Sequence, residues 1–223
     1  MDTSQSFKYR ITQWLFQNIL SRKRRLFITT TFLKLLRKSD IQRWLNYENL
    51  YENWEERTEF MAHWIPTETS VLEFGCGNMA LKKYLPDGCQ YKPSDIVRRD
   101  QETLVIDLNQ NSPLSLPQHD VFFLSGVLEY VYDVEQFVKL SSQVCNLLIA
   151  SYVACETKTV STLAYRRSNG WVNDYSKVEF LNLLQNNGFK LLEEKVWKNQ
   201  LIFCFHRNGT TSPCQSTSNS NSI

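Results

Sequence analysis

The 223-residue sequence predicts an α/β protein. The expected architecture is an open, mostly parallel sheet of seven strands with helices on both faces, an antiparallel last strand, and extra helices ahead of the first strand. Three observations carry this. Short apolar runs alternate with segments of helical pattern. The run Val71-Leu72-Glu73-Phe74 leads into Gly75-Cys76-Gly77-Asn78, where side-chain-free positions let the backbone turn sharply and let a ligand approach it. Near the end, Phe189–Trp197 and Gln200–His206 read as strands joined by Lys198-Asn199, a two-residue hairpin signal that sets the last strand antiparallel.

Ahead of the sheet, Phe7 to Lys38 mixes apolar and basic residues without Gly or Pro and reads as helices. The charge is lopsided. Residues 1–43 hold ten Lys and Arg against two acids, hence +8, and the remainder is −6 within a net +2. The basic run Arg22-Lys23-Arg24-Arg25 suits a helix packed with its charges outward. It also suits docking on an anionic membrane surface or an acidic partner protein. No aromatic–basic recognition module accompanies it, so no nucleic acid is expected. Asn46 to Trp64 predicts a helix with Leu50, Trp54, Met61 and Trp64 on one stripe, ended by Pro66.

After the glycine turn, Met79 to Leu85 reads as a helix closed by Pro86-Asp87-Gly88, with Asn78 as its cap. Tyr91 to Val97 is a second strand with Asp95 near its end, about twenty residues past the glycines, where an acid can accept from both hydroxyls of a ribose. Strand three is Thr103 to Ile106, with Asp107-Leu108-Asn109 at its carboxyl end. Strand four is Asp120 to Leu124, followed by Ser125-Gly126 and then Glu129 and Tyr130 at the pocket edge, the nearest candidates for touching an acceptor, with Glu129 equally readable as a helix N-terminal acid. Asp133 caps a helix running to Gln143, and strand five spans Asn146 to Tyr152. Ala154 to Asp174 reads as a long irregular loop in which Arg166, Arg167 and Trp171 would hold an anionic or sugar-like acceptor, or else form a solvated surface. Tyr175 to Asn187 is a helix stopped by Gly188, and Asn208 onward is a polar tail expected to be disordered.

No apolar run reaches membrane-span length, and the polar start does not have a signal-peptide layout. The six cysteines show neither C-x-x-C pairs nor metal-ligand spacing, so no metal is expected, and reduced thiols in a cytoplasm fit best. Three segments follow: 1–45 a basic helical extension, 46–207 the main domain, 208–223 the tail.

Taken in order, these motifs resemble a class I S-adenosylmethionine-dependent methyltransferase of the small-molecule type. "VLEFGCGNMALKKYLP" resembles that family's first motif and "YKPSDIV" its second. "LVIDLNQ" resembles the segment after strand three, "HDVFFLSGVLEYVYDVEQFV" strand four with its helix, and "NGWVNDYSKVEFLNLLQNNGFKLLEEKVW" the closing part of the fold. The resemblance implies a Rossmann-like sheet and S-adenosylmethionine as cofactor. It implies contacts to that cofactor from Glu73, Gly75, Cys76, Gly77, Asp95, Ile96, Asp107, Leu108, Ser125 and Gly126, with Glu73 at the amino-acid end, Asp95 on the ribose, and Asp107 and Leu108 bordering the adenine.

Methyl transfer needs mainly positioning, because the cofactor's methyl is already activated. A small-molecule or saccharide O-methyltransferase is therefore the leading expectation. A non-catalytic scaffold of the same fold is the alternative, and a nicotinamide dehydrogenase is poorer because the glycine spacing does not continue. None of His63, His119 and His206 stands where a base is needed, so no catalytic residue is assigned.

Overall fold

The computed structural model describes residues 20–50 and 54–209. Its centre is a seven-stranded sheet: β1 Ser70–Phe74, β2 Gln90–Asp95, β3 Leu104–Val105, β4 Val121–Leu124, β5 Leu147–Tyr152, β6 Phe189–Trp197 and β7 Gln200–Arg207. The spatial order is β3-β2-β1-β4-β5-β7-β6. β1 to β5 pair in parallel, and β7 runs antiparallel between β5 and β6. The expected hairpin is present, with Lys198 at φ 53° in its turn.

Strand periodicity divides the core into two layers. Leu72, Phe74, Phe122, Leu124, Leu148 and Ala150 face one way. They meet Val134, Phe137 and Val138 of helix α4 (Val134–Val144), and Phe180 and Leu184 of helix α6 (Lys177–Asn186). Val71, Val121, Phe123, Leu147 and Ile149 face the other way, against Met61 and Ala62 of helix α3 (Glu55–Ala62). β4 and β5 are buried along their whole length, as strands covered on both faces must be. Asp133 caps α4 by accepting from Gln136 N, and Ser176 with Glu179 forms a capping box on α6.

The chain departs from the sequence expectations in four places. The helix expected over 79–85 is one 3-10 turn, Ala80–Lys83, entered through Met79 at φ 58° and not capped by Asn78. Pro86 leaves too little chain for an α-helix to propagate. The single helix expected over 46–64 is a 3-10 turn, Tyr47–Asn49, and then α3, with Leu50 extended between them; Asn46 accepts from Glu48 N and favours the tight turn. Strand three is two residues long. The irregular stretch 154–174 contains helix α5, Val160–Ser168, capped by Thr159. Its first turn, Val-Ser-Thr, has weak helix propensity, and packing against α1 (Arg22–Leu36) supports it. The helical reading of 7–38 is met by α1 and falls outside the described residues before position 20. The polar tail lies beyond them from 210 onward.

Helix α1 and the short α2 (Ile41–Leu45) lie over the carboxyl ends of the strands. Thr30 is buried on the inner side of α1, while Ile28, Phe32 and Leu35 on its outer side are 44%, 59% and 79% exposed. No described helix is long and apolar enough to cross a membrane.

Candidate active site

A cavity opens over the carboxyl ends of β1, β2, β3 and β4, where open α/β sheets keep their ligands. Its floor starts at the glycine turn. Gly75 and Gly77 sit at φ 64° and 52°, and a Cβ on Gly75 would stand 2.7 Å from Val127 Cγ2. The turn is pinned by Cys76 N donating to Ser94 O at 2.9 Å and Gly77 N donating to Asp95 Oδ2 at 3.0 Å. Arg99 Nε also donates to Asp95 Oδ2, at 3.0 Å, and both side chains are buried. Arg99 reaches the roof as well, donating to Trp44 O at 2.9 Å.

Glu73 is buried at the end of β1 and accepts from the Tyr91 hydroxyl at 2.5 Å. Burial pushes its carboxyl up to about 8 against the opposing Tyr91 hydrogen bond, and Asp95 adds like-charge repulsion. Burial likewise pushes the Cys76 thiol up, which favours its neutral form. At β3, Asp107 Oδ1 accepts from Ser39 Oγ at 2.7 Å and from Asn109 N at 2.9 Å. Asn109 in turn donates to Ser39 Oγ and to Tyr130 O. At β4, Arg57 is buried and donates from Nε to Ser125 Oγ at 2.9 Å, from Nη2 to Ser125 O at 3.0 Å and from Nη1 to Gln200 Oε1 at 2.6 Å. A Cβ on Gly126 would meet that guanidinium at 2.6 Å.

All ten residues named for cofactor contact line this one cavity, and Tyr130 lines it too. The other acceptor candidates fall elsewhere. Glu129 and Trp171 line a second cavity, which shares Arg43, Trp54, Arg57, Gly126 and Tyr130 with the first. Arg166 and Arg167 line neither. The loop reading of these arginines is corrected: both are buried on α5. Arg166 donates to Val153 O at 2.7 Å, Asn173 O at 2.9 Å and Asp174 Oδ1 at 3.0 Å, and Arg167 pairs with Asp174. Their guanidiniums tie α5 to the end of β5 and leave nothing to offer an acceptor. Sequence reasoning missed Ser39, Arg43, Arg57 and Arg99. Only Arg99 carried a signal, four residues after Asp95.

A mostly parallel sheet with one antiparallel strand slotted in before its edge, and a glycine-turn cavity over its centre, defines a nucleoside-binding α/β class. The chain belongs to the methyltransferase-domain family, whose model matches residues 43–194. No curated protein matches it. Among solved structures it is similar to mitomycin 7-O-methyltransferase MmcR, at 15% identity and TM-score 0.57 over 80% of this chain and 60% of that one. It is similar to human N-acetylserotonin methyltransferase, solved in complex with SAM, at 15% identity and TM-score 0.56 over 76% and 56%. A chain of the complex between the Haloferax volcanii Trm112 methyltransferase activator and a methyltransferase matches at 11% identity and TM-score 0.59 over 76% and 98%. The chain spans 54% to 60% of the length of the first four structures it matches. At such identities the likeness is one of fold.

Proposed function

We propose that the protein is an S-adenosylmethionine-dependent methyltransferase that methylates an oxygen of a small molecule. The observation that carries this is the convergence of Glu73, the Gly75–Gly77 turn, Asp95, Asp107 and Gly126 on one cavity in a methyltransferase-family fold. The cavity suits the cofactor. Its glycine turn offers main-chain close approach with positive φ, and acids stand at the ends of two neighbouring strands. In this reading Glu73 and the turn take the amino-acid end of the cofactor. Asp95 and Ile96 take the ribose, Asp107 and Leu108 border the adenine, and Ser125 and Gly126 form the wall beside the acceptor. When bound, S-adenosylmethionine supplies a methyl already activated on a sulfonium. The protein's task is then to bind, orient and exclude water.

Calorimetric titration with S-adenosylmethionine tests the reading. Saturable heat is expected, and Asp95→Ala should weaken binding by about 1–3 kcal/mol, the cost of removing a charged hydrogen-bond acceptor. Heat no larger than dilution would favour the scaffold alternative instead.

Helix α1 supports a second role, docking on an anionic membrane. It has no acidic residue, holds Arg22 to Arg25 in its first turn, and turns Ile28, Phe32 and Leu35 outward. Basic charge together with exposed apolar side chains is the composition of an interfacial helix.

A further inference from the structure

The two helices over the first cavity carry different residues on their two sides. Inward, Leu33 of α1, Arg43 and Trp44 of α2, and Ser39 between the helices line the cavity. Outward, α1 exposes Ile28, Phe32 and Leu35, which share one helical face. α2 does the same: Ile41 and Leu45 are 43% and 52% exposed. Charge decides what this outer side can meet. Residues 20–45 hold eight Lys and Arg and one acid, Asp40, which caps α2 by accepting from Arg43 N. Lys23 and Arg24 are exposed at one end of α1, and Arg37 and Lys38 at the other. A second copy of this chain would set like charge against like charge. An anionic bilayer takes both the apolar side chains and the cations, and it needs no matching groove.

The inner side is fastened to the two acids proposed for the cofactor. Ser39 Oγ donates to Asp107 Oδ1 at 2.7 Å, and Asn109 N donates to the same oxygen at 2.9 Å. Both bonds fall on Oδ1, so a ligand bond to Oδ2 is compatible with a seated roof. Arg99 donates from Nε to Asp95 Oδ2 at 3.0 Å and from Nη1 to Trp44 O at 2.9 Å. One guanidinium thus joins the ribose acid to α2. The position of the roof therefore sets the surroundings of both acids, while the outer side chains stay outside.

We infer that α1 and α2 together form one docking surface for an anionic bilayer, and that docking tightens cofactor binding because both partners favour the seated roof. This rests on the methyltransferase reading and goes beyond docking alone by adding membrane regulation of that site. The bilayer takes the outer side chains without breaking an inner bond. The cofactor meets the inner ones without covering the outer. The part-exposed bonds of the roof are weak enough for it to lift. Each partner that seats it lowers the cost for the other, and the coupling is reciprocal.

The probes are S-adenosylmethionine and vesicles of equal parts phosphatidylserine and phosphatidylcholine, with phosphatidylcholine vesicles as the control. The cofactor is titrated calorimetrically into the full chain with and without vesicles, and its heat with vesicles alone is subtracted. Its affinity should rise about fivefold with the anionic vesicles and stay unchanged with the neutral ones. Saturating cofactor should raise the vesicle partition coefficient in co-sedimentation by the same factor. Leu35→Glu on α1 and Leu45→Glu on α2 should each bind the cofactor like wild type without vesicles and lose most of the gain with them. The inference is overturned if the anionic vesicles pellet the chain yet leave its cofactor affinity unchanged, or if both variants keep the full gain. It is also overturned if the chain does not pellet, as when the outer face joins two copies or an acidic protein instead. Normal cofactor heat that no vesicle alters rejects the coupling and leaves the enzyme reading intact, whereas absent cofactor heat with and without vesicles rejects that reading itself.

Discussion

Below the first cavity, the glycine turn is held by its own main chain. Cys76 N and Gly77 N bond to Ser94 O and Asp95, and side chains pressed onto Gly75 and Gly126 leave no room for a methyl group. Above it, Thr30 and Leu33 on α1, Arg43 on α2 and Ser39 between them are fastened by scattered side-chain bonds besides the packing of α1 on α5: Ser39 with Asp107 and Asn109, Tyr132 Oη to Lys38 O, Arg99 to Trp44 O, Arg43 to Asn169 O, and Lys34 to Asp174 at 3.5 Å. Several of these bonds are part-exposed, where each contributes about 1 kcal/mol or less. The floor therefore resists change and the roof can yield. A cavity built this way keeps its binding geometry in the strand ends and leaves the covering helices free to meet other surfaces.

The largest effect that would break this contrast lies in the floor and is pH-dependent. The folded state holds Glu73 near 8, well above the ordinary glutamate value of 4.5. The folded protein therefore binds that proton more tightly than the unfolded chain does. Its stabilising contribution is full below the unfolded value and is lost as pH rises through the folded one. Stability should fall between those limits by up to roughly 1.4 kcal/mol per pH unit. Urea midpoints measured from about pH 5 to about pH 8 should show that slope in the wild type and a much flatter one in Glu73→Gln. Equal slopes would mean that Glu73 is ionised throughout.

Next in size is Gly126→Ala. A left-handed backbone costs a side chain about 1–2 kcal/mol, and the new methyl pushes against Arg57 and its bonds to Ser125. The combined loss should be about 2–4 kcal/mol, read from thermal or urea unfolding. An unchanged midpoint would show that the floor yields as easily as the roof.

The smallest effect belongs to the roof. Leu35→Glu on the outer side of α1 should leave the unfolding midpoint within about 0.5 kcal/mol of wild type. It should cut co-sedimentation with phosphatidylserine-containing vesicles severalfold, because it removes apolar area and adds repulsion. Equal pelleting of variant and wild type would rule out docking through this face.

The residues that were legible share one property, and those that were not share another. Glu73, Gly75, Gly77, Asp95 and Asp107 stand at fixed offsets from the ends of apolar runs, and a strand end is a local feature that a sequence displays. Arg166 and Arg167 misled because an arginine pair in a stretch without helical pattern reads as surface, while α5 turns both inward onto Asp174 and the end of β5. Arg57, Ser39 and Arg43 were silent for the same reason in reverse. Their partners lie 68, 68 and 126 residues away along the chain, and no local pattern records such pairings.

The sequence by itself determined the strand runs, the sharp turn after β1, the acid that ends β2 and the one that follows β3, and the closing hairpin. Each of these follows from backbone freedom and periodicity within a few neighbouring residues. Tertiary structure alone decided which helices roof the cavity and which arginines are locked into the scaffold. Those outcomes depend on which distant surfaces meet, and packing settles that only when the sheet has closed its two core layers.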